Sequence, residues 1–276
     1  MDWTALELSL RLAAWTVAIL LPVSILMGRF LAFRQFRGKA LVEALVMLPL
    51  VLPPTVLGFY LLVSFGRDSF IGQLWASLFG QQLVFTFQGL VVASVMFNLP
   101  FAVLPAQRGF QAIPAELREA AACCGMSPAR ALWRVELPLA WPGVATAMVL
   151  TFAHTLGEFG IVLMVGGSIP GETRTIAIAI YDRVQAFDTG AAATMSAVLV
   201  AISLAAIAVI SSGWSAAKAR SACGVRRQEK RPSLQPSMRF ASASGSSKSR
   251  SRSHAARSLA CERAGTGWAR TPINCS

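Results

Sequence analysis

Two ionisable side chains stand inside one apolar segment of this chain, His154 and Glu158 in TFAHTLGEFGIVLMV. Four residues apart, they share a face if the segment is a single helix. A His–carboxylate pair is a general acid–base set, or half of a metal site. Nothing else in the sequence completes either. The other histidine is His254, near the C-terminus, and Cys123 and Cys124 lie in a separate, more polar stretch. No paired aspartates occur within the apolar segments, so a membrane protease site does not assemble. No metal site and no catalytic residue are expected. An integral-membrane enzyme using His154 and Glu158 is the alternative from another class. An acid at mid-membrane costs about 2.5–3.5 kcal/mol on insertion scales, so Glu158 should face protein or water. Gly157 and Gly160 flank it and permit close backbone approach. An unpaired carboxylate would repel an anion. A hydrogen-bonded, structural or gate-lining role is therefore expected for Glu158.

The elements that must position these residues are membrane helices. The chain is 55% hydrophobic, with mean hydropathy +0.57, more apolar than a soluble domain of its size. Its apolar residues come in blocks of about 20, the length a helix needs to cross hydrocarbon. Spans are predicted near 11–33, 43–65, 83–105, 142–165 and 191–213. Charge sets their direction, because short loops rich in Lys and Arg stay in the cytoplasm. Arg29, Arg34, Arg37 and Lys39 follow the first span, whereas Asp2, Glu7 and Arg11 precede it. The N-terminus is thus expected outside, the 106–141 loop inside, the 166–190 loop outside and the C-terminus inside. The apolar stretch Phe70 to Gly80 is too short to cross, and should lie along the outer surface or dip partway in. A sixth span there would reverse every later loop.

The second span reads LPLVLPPTVLGF. Pro49, Pro53 and Pro54 each remove a backbone donor and distort a helix. Such breaks survive in membranes where neighbours or a water-lined cavity satisfy the freed carbonyls. The span is either kinked for packing or a deformable helix lining a pathway.

Between the third and fourth spans lies EAAACCGMSPARALWRVELP, residues 119–138. Ala115 to Cys124 has good helix composition. Gly125 can take the left-handed conformation that ends a helix. Ser127 and Pro128 read as an N-cap followed by Pro at the first helical position. Two short helices joined by a tight turn would make a knob for a cleft in a partner.

The spacing of this segment resembles the cytoplasmic coupling motif of ABC-importer permeases, EAA-x3-G-x9-I-x-LP. Glu119, Ala120, Ala121, Gly125, Val135 (for Ile), Leu137 and Pro138 supply every anchor. The stretches 38–72, TLGEFG at 155–160 and IPGETRTI at 169–176 are similar to the molybdate branch of that family. The resemblance implies an all-α integral membrane protein with the type I importer permease fold. It implies a homodimer of permeases, two copies of a cytoplasmic ATPase, a molybdate-binding protein outside, and alternating access in the inner membrane. ATP and its Mg would sit on the partner ATPase, since no Gly-rich Walker loop occurs here. Sulfate and thiosulfate permeases share the Gly-Glu-Phe-Gly and Ile-Pro-Gly elements, and tungstate is close to molybdate in size and charge. Pro53, Pro54, Gly157, Glu158 and Gly160 are the pathway or gate candidates. Arg174 is the candidate for docking the binding protein, against a local ion pair with Glu172 or Asp182.

The permease domain is read as 8–213 and a basic Ser/Arg-rich tail as 214–276. The tail has 13 Lys and Arg against 2 acids, while residues 1–213 have 12 against 11. The net charge of +12 therefore belongs to the tail and does not mark the body as nucleic-acid-binding. The tail is too poor in apolar residues to bury a core. It reads either as an anionic-lipid-binding segment or as translation out of frame after a frameshift.

Overall fold

The computed structural model describes residues 2–208. The tail, the end of the fifth span and the frameshift question lie outside the described residues.

All regular structure among the described residues is helical. Helix α1 (Trp3–Phe33) opens on an Asp2 cap, whose carboxylate accepts from the Ala5 amide. Helices α2 (Lys39–Val51) and α3 (Pro54–Phe65) follow, then a short α4 (Phe70–Phe79) and a long α5 (Phe87–Gln111). After α6 (Ala115–Cys123), one continuous helical run extends from Pro128 to Leu156. It comprises α7 (Pro128–Ala131), a π-helical turn (Leu132–Glu136) and α8 (Leu137–Leu156). The chain continues through α9 (Gly160–Gly166) and α10 (Ile176–Gln185) to α11 (Thr189–Ala208).

Four of these runs are long and apolar enough to cross a membrane: 3–33, 87–111, 128–156 and 189–208. The predicted span at 43–65 is not a straight helix. Its halves, α2 and α3, meet at 106°. Leu52 and Pro53 both precede a proline, which disfavours the α conformation, and both are extended, with ψ of 138° and 134°. Two successive extended residues break the helix outright, whereas Pro49 stays inside α2. The predicted 142–165 span is also interrupted, between Leu156 and Gly160.

Counted as one span, the bent α2–α3 pair would bring the candidate crossings among the described residues to five. Helix α1, 31 residues and roughly 46 Å long, has Asp2 at one end and Arg29 near the other. Its Asp2 end meets Arg174 of the 166–175 loop, at 3.8 Å. Its other end meets Glu136 and Arg118. Helix α5 begins at the Asp2 end, beside Leu8 and Gly171, and finishes at α6. The segment between α1 and α5 must therefore make one net crossing, by way of the bent α2–α3 pair. Helix α4 is about 15 Å long and cannot supply it.

Packing among the crossings uses small side chains, as membrane helices do in the absence of a hydrophobic drive. Where α5 crosses α8, Gly109 and Gly143 face each other; a Cβ on Gly143 would come within 2.6 Å of the Gly109 Cα. Beside them Ala106, Phe110, Ala140, Val144 and Ala147 form a core cluster that also takes in Leu132 and Leu137.

Candidate functional site

The Glu119–Pro138 segment forms a helical hairpin at the end of the molecule opposite Asp2. Helix α6 is closed by Gly125 at φ +69°, a left-handed conformation that side chains rarely adopt. The Met126 amide donates to the Ala121 carbonyl at 3.2 Å and the Gly125 amide to Ala122 at 2.9 Å, a Schellman closure. Ser127 caps the next helix, its hydroxyl accepting from the Arg130 amide, with Pro128 following. That second helix is not a separate short element. It runs through the π turn into α8, so the hairpin's second arm is continuous with a membrane crossing.

Within the hairpin Glu119 and Ala120 are exposed, while Ala121 is buried against the chain itself. Ala121 therefore does not present its side chain to a partner. Val135 is half-buried, Leu137 packs on the α5–α8 core, and Pro138 is exposed at the start of α8.

The second assembly lies in the membrane interior. Glu158 is not on the helical face of His154, because α8 ends at Leu156 and the chain departs at Gly157. Asn98 of α5 bridges the two. Its Oδ1 lies 3.0 Å from His154 Nδ1, and its Nδ2 lies 3.4 Å from Glu158 Oε2. With Nδ2 donating to the Ser94 carbonyl at 2.9 Å, Oδ1 is the acceptor, and the His154 proton sits on Nδ1. Ser94 Oγ donates to Glu158 Oε2 at 3.0 Å and accepts from Thr16 Oγ1 at 3.2 Å. The chain Thr16–Ser94–Glu158–Asn98–His154 joins α1, α5, α8 and the break at 157–159. Glu158 is 5% exposed, and its Oε1 has no protein partner. His154 stacks on Phe101, centroids 4.0 Å apart. Ser94 and Asn98 went unnoticed in the sequence reading. Their signal was two polar residues at helical spacing in an otherwise apolar span.

The two broken crossings also meet. Helix α3 packs on α9, and a Cβ on Gly160 would stand 3.1 Å from the Pro54 Cβ. Pro53 caps α3 and Pro54 opens it. The gate candidates Pro53, Pro54, Gly157, Glu158 and Gly160 therefore gather where the two breaks adjoin.

Arg174 lies at the Asp2 end. It pairs with Asp182 at 2.9 Å and Asp2 at 3.8 Å, and is only 24% exposed. Of the two local partners anticipated for it, Asp182 is engaged. Beside it a cleft of about 350 Å³ is lined by Leu8, Arg11, Gln81, Thr86, Phe87, Gln88, Gly171 and Glu172.

Long apolar helices packed through small residues, two of them interrupted, with a helical hairpin at one end, are the architecture of a multi-pass membrane protein. The chain belongs to the family described as binding-protein-dependent transport system inner membrane component, whose model matches residues 21–220. The molybdenum transport system permease protein of Azotobacter vinelandii is 50% identical over 187 residues, 68% of this chain and 83% of that protein. Its counterpart in Escherichia coli K12 is 36% identical over 223 residues, 81% of this chain and 97% of that protein. The solved structure of a bacterial ABC transporter that imports the acidic polysaccharide alginate matches with a TM-score of 0.62. At 16% identity, covering 75% of this chain and 78% of that one, it shows the shared permease fold. The chain is a non-catalytic, multi-pass component of the inner membrane.

Proposed function

We propose that this chain is the permease subunit of an ATP-driven importer that moves molybdate across the inner membrane. The observation that carries the substrate is the 50% identity with the Azotobacter vinelandii molybdenum permease over 83% of that protein's length. Two copies would form the pathway, with two ATPase subunits bound at the hairpins and a molybdate-binding protein docked at the Asp2 end. That places the N-terminus outside and the hairpin in the cytoplasm, in keeping with the Arg-rich loop after α1.

In this reading Glu119 and Ala120 meet the ATPase, Gly125 sets the angle of the hairpin, and Val135, Leu137 and Pro138 join it to α8. ATP-driven closure of the ATPases pushes the hairpins and exposes the pathway outward. The adjoining breaks at Pro53–Pro54 and Gly157–Gly160 supply the movable part, with Glu158 held by Ser94 and Asn98 away from the anion. Arg174 is the docking candidate, and its pairing with Asp182 makes it part of a shaped rim as well as a charge. Sulfate, thiosulfate and tungstate are the competing substrates.

The test is molybdate uptake by a permease-deficient strain carrying this chain with its cognate ATPase and binding protein. Restored uptake that excess sulfate does not suppress supports the proposal. Sulfate uptake without molybdate uptake overturns the substrate, and no uptake of either overturns the transport reading.

A further inference from the structure

One ion pair ties the hairpin segment to α1 without using any anchor residue of the motif or any gate candidate. Glu136 sits in the π-helical turn between α7 and α8, and its side chain is 7% exposed. Arg29, one turn before the end of α1, grips it with two nitrogens: Nε meets Oε2, and Nη2 donates to Oε1 at 3.2 Å. Such a two-pronged guanidinium–carboxylate contact fixes orientation as well as distance. A second contact lies beside it. The Arg118 guanidinium of α6 rests 4.0 Å from the centre of the Phe33 ring at the end of α1. Phe33 is in turn braced edge-on by Phe110 of α5. Each arm of the hairpin thus has its own hold on the same end of α1.

The π turn sharpens the argument. An inserted residue in an α-helix interrupts its hydrogen-bond ladder and marks a place where the helix yields. A push on the hairpin would be partly absorbed there before reaching α8. Glu136 is the residue of that turn whose charged group is anchored outside its own helix. From this geometry we infer that Arg29 and Glu136 form a mechanical link that carries hairpin motion into α1, in parallel with the direct route along α8. This rests on the coupling role proposed above. It adds a second element that moves, and it makes Arg29 and Glu136 positioning residues acting through the helix ends they join.

The experiment uses the full complex of permease, ATPase and binding protein in proteoliposomes, with two readouts. The first is molybdate taken up per ATP hydrolysed. The second needs no substrate: maleimide labelling of Trp3→Cys, at the far end of α1, with and without ATP, after the native cysteines are replaced by serine. Trp3 is 68% exposed, so a cysteine there is open to the reagent. Glu136→Gln and Arg29→Gln are expected to lower uptake per ATP about fivefold or more, the scale of an ordinary coupling energy. They should also flatten the nucleotide response at position 3. The exchange Arg29→Glu with Glu136→Arg should recover part of both. Arg118→Gln, on the exposed helix, should lower the same ratio by less and guards against misfolding of the buried-pair variants. Wild-type ratios and responses in both single variants, or no nucleotide response in the parent, would overturn the link. A wild-type complex that labels in response to ATP yet moves no molybdate would instead count against the substrate, and leave the link standing.

Discussion

The carboxylate of Glu158 is the most demanding group in the membrane interior. Its Oε2 takes hydrogen bonds from Ser94 and Asn98, at 3.0 and 3.4 Å. Removing one donor from a buried carboxyl group exposes the desolvation cost that the bond had offset. Ser94→Ala should therefore lower stability by about 1–3 kcal/mol, read as the thermal midpoint of the purified permease in detergent. Ser94→Thr, which keeps the hydroxyl, should lose less; equal losses would show that packing and not the hydrogen bond is at stake. Arg174 is the other test at this scale. Arg174→Glu sets a carboxylate among Asp2 and Asp182, so the rim should be disturbed and stimulation of ATPase activity by the liganded binding protein should fall. Raising salt should narrow the gap from wild type, because screening shortens the reach of surface charges. An unchanged dose–response would leave Arg174 as a local ion-pair partner of Asp182 and Asp2.

At the scale of elements, the hairpin depends on one glycine. Gly125 has φ +69° and no atom within 4 Å of where a Cβ would stand, so the cost of a side chain there is backbone strain and not a clash. For a β-branched residue that strain is roughly 1–2 kcal/mol. Gly125→Val should insert and assemble, yet the partner ATPase should hydrolyse ATP without matching uptake; normal uptake would remove the coupling role from this turn. Gly143 makes the opposite case. Its missing Cβ is what lets α5 and α8 touch, so Gly143→Ala should force the helices apart and reduce the amount of folded permease in the membrane. The hairpin's turn was legible in the sequence because its signals are local: Gly125 ends a helix, and Ser127 and Pro128 start one. Pro53 and Pro54 were legible as a distortion but not as a right-angled break, since that needs two extended residues in a row. Ser94 and Asn98 stand out in the sequence as polar residues at helical spacing, but their pairing with Glu158 was not legible, because contacts across 60 or more residues leave no mark in local spacing. The Arg29–Glu136 pair was hidden for the same reason, across 107 residues.

For the whole molecule the open variable is direction, since helices and their contacts are the same whichever side faces the cytoplasm. The geometry narrows the choice to two. Asp2 and Arg174 share one end, and the 119–138 hairpin occupies the other, so these segments must lie on opposite sides of the membrane. Charge then selects between them. The loop after α1 carries Arg34, Arg37 and Lys39, and the hairpin carries Arg118, Arg130 and Arg134. Both are basic and lie at the same end, so the positive-inside rule favours the proposed orientation, with that end in the cytoplasm. Deleting 221–276 should leave transport intact, because the crossings and both sites lie before it. A reporter active only outside the cytoplasm, fused after Gly171, should be active, and the same reporter after Arg130 should be silent. Activity at both positions would mean that one crossing between them had failed to form, and the interrupted α8–α9 run is where that failure would fall. The reverse pattern would turn the whole bundle over, place the hairpin outside, and remove any role for it in meeting a cytoplasmic ATPase.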